Sequence, residues 1–316
     1  MAQPSKNRTT ILTYSALALI WGSSFLLMKL GLVGLSPGQV ALGRIALGAC
    51  TLAAIMRLTR RRWPRERRVW AHMIVIGATL CTIPFTLFAW AETVLPTTVA
   101  SIANATTPIM TLLLTPLLIP AEKLSRRQSI GLVTGIIGVA VLVAPWRYLA
   151  ADGSVSLPGL AACLAATLCY GFGGLYMRKF LSRTGLDAVT AAAMQLTTAS
   201  LLALAAAPLI SLEPVRLTPS VIAAMLALGI LGSGVAYIWY TGIIRAWGPA
   251  RASTVTYLTP VVGVTLGVAV LGESVHWNEP VGGGVIVLGV LASQGLFDRR
   301  KRHGDTPPVA SPAALR

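Results

Sequence analysis

Two ionisable side chains lie where this apolar chain could use them for chemistry. The chain has 316 residues, of which 55% are hydrophobic and only 11% are charged. Arg44 follows Pro37 by about two helical turns inside an apolar segment, where a guanidinium can hold a carboxylate or phosphate through forked hydrogen bonds. It could equally form a structural pair with Glu92 or with helix-end carbonyls. No Asp, Glu or His falls at the middle of an apolar segment, so Glu92, at a helix end, is a candidate group for proton coupling, and facilitated diffusion and substrate exchange remain open alternatives.

Aromatic and small polar side chains recur at spacings that place them on common helix faces. Trp21, Ser24 and Phe25 follow the i, i+3, i+4 pattern of one face. An apolar pocket with a few polar groups binds small ligands well, although each aromatic residue could instead pack between helices or contact lipid. The predicted substrate-binding residues are Trp21, Ser24, Phe25, Arg44, Phe88, Asn104, Tyr170, Tyr237, Tyr240 and Tyr257.

Helix-breaking residues occur at matching places along the chain. A proline frees the carbonyl one turn earlier and permits a kink, and interrupted helices at corresponding positions are typical of a transport site. The predicted kink positions are Pro84, Pro108, Gly232, Gly234 and Pro260. The polar residues just before the last two prolines, Asn104 and Thr256, could bind substrate or satisfy the freed backbone.

These candidates lie on long apolar segments that predict an all-α integral membrane protein. A soluble domain carries about 25% charged residues, and one bilayer crossing needs about 20 apolar residues in a helix. Ten transmembrane helices are predicted, at residues 10–30, 37–56, 70–91, 96–119, 129–143, 157–176, 186–210, 219–244, 250–271 and 280–297.

The distribution of positive charge predicts the orientation of these helices. The net charge is +16, and most basic residues lie in short loops between apolar segments, as the positive-inside rule requires. Both termini are therefore expected in the cytoplasm, and the chain shows no aromatic and basic pattern typical of nucleic-acid binding. The four cysteines lie in apolar segments without metal-ligand spacing, so neither a metal nor a cofactor is predicted.

The two halves of the chain repeat each other. Ser101 and Pro108 recur as Ser253 and Pro260, and further matching pairs are Thr107 with Thr259 and Glu122 with Glu273. Basic residues follow the first glutamate but not the second, which indicates that the second copy is inverted in the membrane. We predict one five-helix repeat at residues 1–150, a second, inverted one at 151–298, and a basic cytoplasmic tail at 299–316.

This pattern resembles the EamA family of the drug/metabolite transporter superfamily. The residues that carry the resemblance are Trp21-Gly22-Ser23-Ser24-Phe25, Arg44, Pro108, Glu122-Lys123-Leu124, Gly131 and Gly138. The resemblance covers nearly the whole chain and implies ten helices in the inner membrane. It also implies export of small metabolites, amino acids or drugs by alternating access, without specifying the substrate.

The residues of the chain also bear on other functions and on its partners. A membrane enzyme would need clustered acidic or histidine residues, whereas the three histidines are scattered. A nucleotide-sugar or lipid-linked metabolite transporter of the same superfamily is the alternative. The expected partners are a small-molecule substrate and the lipid bilayer. The glycines near Gly131 and Gly282 could seal each half or form a homodimer contact.

Overall fold

The regular structure of the described residues is helical throughout. The computed structural model describes residues 4–122, 124–144, 156–181, 184–210, 213–247 and 252–293. Within them, nine helices are long and apolar enough to cross a membrane, and one further apolar helix is shorter. The helices are α1 (Arg8–Gly31), α2 (Pro37–Leu58), α3 (Arg67–Val94), α4 (Thr97–Leu118), α5 (Arg126–Val143), α6 (Leu157–Leu181), α7 (Ala188–Leu209), α8 (Pro219–Trp247), α9 (Thr254–Leu271) and the short α10 (Asn278–Ser293).

These elements differ in detail from the ten predicted spans. Nine predicted spans coincide with the long helices, and the tenth coincides with α10, which has 16 described residues. The predicted end of the last span at residue 297 and the predicted tail at 299–316 lie outside the described residues. Helix α3 is longer than predicted at both ends, because Arg67 and Thr93 continue the helix beyond its apolar part.

Contacts between loops define two ends of the bundle. Arg61 pairs with Asp187, and Arg178 pairs with Glu122, so the α2–α3, α4–α5 and α6–α7 loops share one end. We call this the basic end, because the α2–α3 loop and the start of α3 are rich in arginine. The α1–α2, α3–α4, α7–α8 and α9–α10 loops form the other, neutral end.

Three hydrogen bonds between loops or helix ends connect elements at the neutral end. The Arg216 amide donates to the Gly34 carbonyl at 2.8 Å, which joins the α1–α2 and α7–α8 loops. Glu273, just after α9, accepts from the Thr97 amide at the start of α4. Asn278, at the start of α10, donates its side-chain amide to the carbonyl of Leu142 at the end of α5. Helix α1 therefore runs toward the neutral end and α6 runs away from it, so the two halves have opposite orientations.

Helices from the two halves pack against each other in matching pairs. Helix α2 packs on α8, α7 on α3, α1 on α9, α6 on α4, and α5 on α10. The α2–α8 contact corresponds to the α7–α3 contact under the repeat, and the α1–α9 contact corresponds to the α6–α4 contact, whereas α5 and α10 are themselves equivalent helices. The α5–α10 pair is so close that a Cβ atom at Gly131 would lie 2.4 Å from the carbonyl oxygen of Gly289. The glycine face that the sequence offered for either sealing or dimerisation is therefore occupied by a contact within the chain.

The helices are interrupted at matching positions. Helix α3 contains a π-helical segment at Ala78–Thr82, and α8 contains one at Ala227–Val235. Helix α4 breaks after Asn104, and α9 begins with a 3₁₀ turn at Ser253–Tyr257. These interruptions place irregular backbone in the middle of the bundle, where polar groups can face an internal space rather than lipid.

The carbonyls that lack an amide partner because of the two prolines accept the same kind of hydrogen bond in each repeat. The Thr107 hydroxyl donates to the Asn104 carbonyl at 2.8 Å, and the Thr259 hydroxyl donates to the Thr256 carbonyl at 2.8 Å. Pro108 and Pro260 have no amide to offer these carbonyls, so a threonine immediately before each proline replaces it. The side chain of Asn104 is thereby released from the structural role that the sequence left open for it.

Candidate functional site

A large cavity lies between the two halves of the bundle. Its volume is about 1220 Å³, and described residues from all ten helices line it. One extremity lies at Met28 and Arg44, in the half of the bundle nearer the neutral end. The other reaches Gln128, in the first turn of α5, and Ser293, the last described residue of α10. The cavity thus extends from the middle of the bundle to its basic end.

Most predicted substrate-binding residues lie on this cavity. Those that line it are Trp21, Ser24, Phe25, Arg44, Phe88, Asn104, Tyr170, Tyr237 and Tyr257. Tyr240 does not, because its ring packs on Trp21 with ring centroids 5.3 Å apart. The indole nitrogen of Trp21 also donates to the carbonyl of Gly232 at 3.2 Å. Tyr240 therefore packs on the side of Trp21 away from the cavity and helps to orient its indole ring.

Some of the predicted kink residues line the cavity, and the others lie in the helix packing around it. Pro108 and Gly232 line the cavity, whereas Pro84 follows the π-helical segment of α3. A Cβ atom at Gly234 would lie 2.6 Å from the Thr51 methyl carbon, so this glycine permits the contact between α8 and α2. Pro260 is buried in α9.

Arg44 is the charged group of the cavity wall. It is 9% exposed, its Nε donates to the Ser233 hydroxyl at 3.0 Å, and its guanidinium lies 3.9 Å from the ring centroid of Phe85. The pair with Glu92 that the sequence left open does not form. The described ion pairs, Arg61–Asp187 and Arg178–Glu122, lie at the basic end instead.

Aromatic rings surround the guanidinium of Arg44. Phe25 and Phe88 form an edge-to-face pair with centroids 5.4 Å apart, and Phe88 also stacks on Tyr170 at 6.1 Å. Tyr170 contacts Phe85 edge-on at 6.5 Å. Helices α1, α3 and α6 thus supply one continuous aromatic surface, which suits the apolar part of a small ligand.

Several cavity residues were missed by the sequence analysis. Gln195 of α7 donates to the hydroxyl of Tyr237 at 3.4 Å and to the sulfur of Cys81 at 3.1 Å. Ser233 orients Arg44. A lone amide in the otherwise apolar α7 was a signal that could have identified Gln195, whereas Ser233 stands between glycines and shows no such signal.

The neutral end is closed by contacts between the halves. The Glu273 carboxylate accepts hydrogen bonds from the amides of Thr97 and Thr98, at 2.6 and 2.8 Å. The ammonium of Lys29 donates to the carbonyls of Glu92 and Leu95 at the end of α3. These helix-end carbonyls hold the ammonium inward, whereas a lysine near a helix end often extends toward the membrane interface.

Glu92 lies at this closed end, outside the cavity lining. Its side chain is fully buried, and neither carboxylate oxygen has a hydrogen-bond partner of ordinary geometry among the described residues. Lys29, Glu273 and Arg44 are the charged groups that act on it, together with the nearby Thr97.

The equivalent segments at the basic end are held apart. The second part of α4 contributes Thr111 and Leu112 to the cavity wall, and the first part of α9 contributes Thr256 and Tyr257. The corresponding segments at the neutral end, the first part of α4 and the second part of α9, pack directly on each other. Helices α4 and α9 are therefore in contact at the neutral end and separated by the cavity at the basic end.

Comparison with known proteins decides the family. The model of the EamA-like transporter family matches residues 8–144 and again residues 157–293. This chain belongs to the EamA-like transporter family. The duplication inferred from the sequence is thus a duplication of the family's own unit, and the chain is a multi-pass membrane protein with the character of a transporter.

Relatives of this EamA-like transporter are similar over most of their length. The chain is 27% identical to the uncharacterized inner membrane transporter YedA of Escherichia coli K12, over 87% of each chain. It is 26% identical to protein PecM of Dickeya dadantii, covering 90% of this chain and 92% of PecM. It is 27% identical to a probable terminal-alkyne amino-acid exporter of Streptantibioticus cattleyicolor, covering 91% and 94%. A crystal structure at 21% identity shares the fold with a TM-score of 0.62 over 91% of this chain.

Within the described residues, no group of three or more His, Cys, Asp or Glu side chains could hold a metal ion.

Proposed function

We propose that the protein exports a small metabolite, amino acid or drug across the inner membrane by alternating access. The observation that supports this proposal is that two contacts related by the repeat differ, since one is closed and the other is open. The α4 and α9 segments meet at the neutral end, whereas their repeat counterparts are separated by the cavity at the basic end. Inverted repeats that adopt unequal conformations can exchange them, which would open the cavity to the other side.

The membrane arrangement that we propose has ten crossings. Helix α10 belongs to the tenth, and the halves correspond to residues 1–150 and 151–298. The basic end faces the cytoplasm with both termini, because the arginine-rich loops lie there. The structure then corresponds to a cytoplasm-facing state in which a solute enters from inside.

The cavity wall supports binding rather than catalysis. Its rings offer apolar surface, and the amide of Asn104, which has no hydrogen-bond partner among the described residues, faces a solute together with Arg44. A solute held there would be released on the other side after the neutral end opens and the basic end closes. The similarity to the probable terminal-alkyne amino-acid exporter of Streptantibioticus cattleyicolor supports small-molecule export of this kind.

Glu92 is the group that we propose for coupling to protons. An ionised carboxylate that is buried without hydrogen-bond donors is costly, whereas a protonated one is less so. Protonation of Glu92 would therefore favour the closed neutral end, and opening of that end would expose the carboxylate to water and to the proton concentration on that side. The Lys29 ammonium lies beside it, and Glu273, Arg44 and Thr97 act on it as well.

Counterflow in proteoliposomes tests this function. Purified protein is reconstituted with an excess of unlabelled amino acid, organic acid, nucleoside or cationic drug inside, and entry of the labelled solute is followed with and without a pH gradient. The proposal expects counterflow of at least one solute class, with Glu92→Gln abolishing any stimulation by the gradient. Empty liposomes and a Tyr237→Ala variant serve as controls, and absence of counterflow for every class would contradict the proposal.

A further inference from the structure

The charge of the cavity wall is unbalanced. Arg44 is its one arginine, and the residues described as lining it include no Asp, Glu or Lys. Burial of a charge is costly unless another group compensates for it, and buried charges in membrane proteins are usually paired or face a water-filled cavity. Among the described residues, Arg44 forms no ion pair with a carboxylate. A bound anion would therefore supply the paired counter-charge that the described residues do not give Arg44.

The guanidinium of Arg44 is held in one orientation. Its Nε donates to the Ser233 hydroxyl at 3.0 Å, and its flat face lies 3.9 Å from the centroid of the Phe85 ring. The two terminal nitrogens have no hydrogen-bond partner among the described residues. A guanidinium fixed at Nε and at its face can still use its terminal nitrogens to bind a carboxylate.

The cavity wall around Arg44 has a small polar region beside a larger apolar surface. Phe25, Phe88 and Tyr170 form the wall, and Gln195 and Tyr237 supply hydrogen-bonding groups near the guanidinium. No acidic side chain in the described lining is available to hold an ammonium group. This arrangement favours an anionic group on a molecule that also has an apolar body, and it disfavours an organic cation.

We propose that the substrate class is an amphipathic organic carboxylate, with its carboxylate on Arg44 and its apolar body among Phe25, Phe88 and Tyr170. This inference rests on the proposed transport function, because it assigns the solute of the same cavity. Bringing such an anion into the cavity neutralises the buried charge. Cavity hydration alone would leave the arginine indifferent to the charge of a solute, so discrimination by charge is the property to measure.

Three probes that share a phenyl ring and a two-carbon linker make the test. These are 3-phenylpropionate, 3-phenylpropanamide and 2-phenylethylamine, which differ in carrying a negative charge, no charge or a positive charge. Their dissociation constants are measured on the purified full chain at constant ionic strength. The carboxylate is expected to bind at least about tenfold more tightly than the amide, as a charge-assisted hydrogen-bonded pair would give.

Variants assign this preference to one residue. Arg44→Gln should reduce the carboxylate to the affinity of the amide, and Arg44→Lys should retain only part of the preference because an ammonium lacks the fork. Arg178→Gln is the matched control: it also removes one arginine charge, but at the basic end, and should leave the preference intact. If Arg44→Gln does not fold, Ser233→Ala provides the second test, since the loss of the Nε contact should weaken the carboxylate but not the amide.

The outcomes separate this inference from the transport function. Equal or tighter binding of the amide or the amine would overturn it, as would an unchanged preference in Arg44→Gln, or no binding of any probe. Phenylalanine, added as a fourth probe, shows whether an additional ammonium is tolerated beside the carboxylate. Counterflow of a neutral or cationic solute, with no carboxylate preference, would overturn the substrate class while upholding transport.

Discussion

The carboxylate of Glu273 accepts a hydrogen bond from the backbone amide of Thr97, with 2.6 Å between Oε1 and the nitrogen. The contact joins the second half of the chain to the first, and the other oxygen accepts from Thr98 at 2.8 Å. A negative charge at a helix N-terminus is favourable, because the free amides and the helix dipole both stabilise it. Glu122, the repeat counterpart, instead pairs with the half-exposed Arg178 at the basic end. The two equivalent glutamates therefore have different partners in this state: Glu273 binds a helix N-terminus, and Glu122 forms an ion pair.

The first prediction concerns the stability of the closed neutral end. Glu273→Gln removes the negative charge from the start of α4, which should weaken closure by about 1 kcal/mol and shift the conformational equilibrium about fivefold. A cysteine at Met28, which is 1% exposed and lines the cavity, reports the change. Its labelling by an impermeant maleimide from the neutral side should accelerate by that factor.

Glu122→Gln provides the matched control for this experiment. It removes the same charge from the repeat counterpart, but an exposed ion pair at the basic end contributes little to stability. Labelling from the neutral side should therefore remain at the starting rate. Equal acceleration by both variants would show that Glu273 has no specific role in closure.

The second prediction tests the contact between α5 and α10. A Cβ atom at Gly131 would lie 2.4 Å from the Gly289 carbonyl oxygen, and backbone atoms cannot move aside without separating the helices. Gly131→Ala should destabilise the protein by about 1–3 kcal/mol, read as a lower Tm in detergent. Gly284→Ala in α10, where no atom lies within 4 Å, should leave the Tm unchanged or raise it through better helix propensity. A Tm for Gly131→Ala equal to that of Gly284→Ala would refute the close packing.

The third prediction concerns the start of α7 at the basic end. Partial burial opposes ionisation of Asp187, but hydrogen bonds from Thr190 and the charge of Arg61 outweigh it, so the pKa of Asp187 lies below its usual value. The ionised side chain therefore stabilises the fold above the unfolded pKa of about 3.9, and this contribution is lost as the pH falls through the folded pKa.

Two variants separate the charge of Asp187 from its hydrogen bonds. Asp187→Asn keeps an oxygen that can accept from the amides of Val189 and Thr190, whereas Asp187→Ala removes the helix cap at a cost of about 1 kcal/mol. The Tm difference between the parent and Asp187→Asn should be constant near neutral pH and shrink below about pH 4. A difference that is independent of pH down to about pH 3 would contradict the prediction.

The helical class and the repeat were predictable because both depend on local composition. Bilayer thickness fixes the length of an apolar helix, and matched pairs such as Pro108 and Pro260 report the duplication directly. The shared family model confirms the family, and it matches the two halves separately.

The site was predictable only in outline. Sequence periodicity places Trp21 on a helix face, but it cannot tell which tyrosine faces the cavity, and Tyr240 lies behind it because two helices approach at that point. The partner of Arg44 is a serine 189 positions later in the chain, and contacts between halves have no local signal. For the same reason the sequence could not indicate that Lys29, rather than Arg44, lies beside Glu92.

The most direct test of alternating access is a reversible cross-link across the closed neutral end. A Cβ atom at Gly267 would lie 2.8 Å from the Thr98 methyl carbon and 2.7 Å from an oxygen of the Glu273 carboxylate, so cysteines at these two positions are close enough to form a disulfide once that carboxylate moves aside. The pair is introduced into a chain whose native cysteines are replaced, and each single cysteine serves as a control. Oxidation should abolish counterflow, leave solute binding from the basic end intact, and be reversed by a reductant. Counterflow that continues at the full rate in the cross-linked protein would contradict the account, because the neutral end would then not need to open.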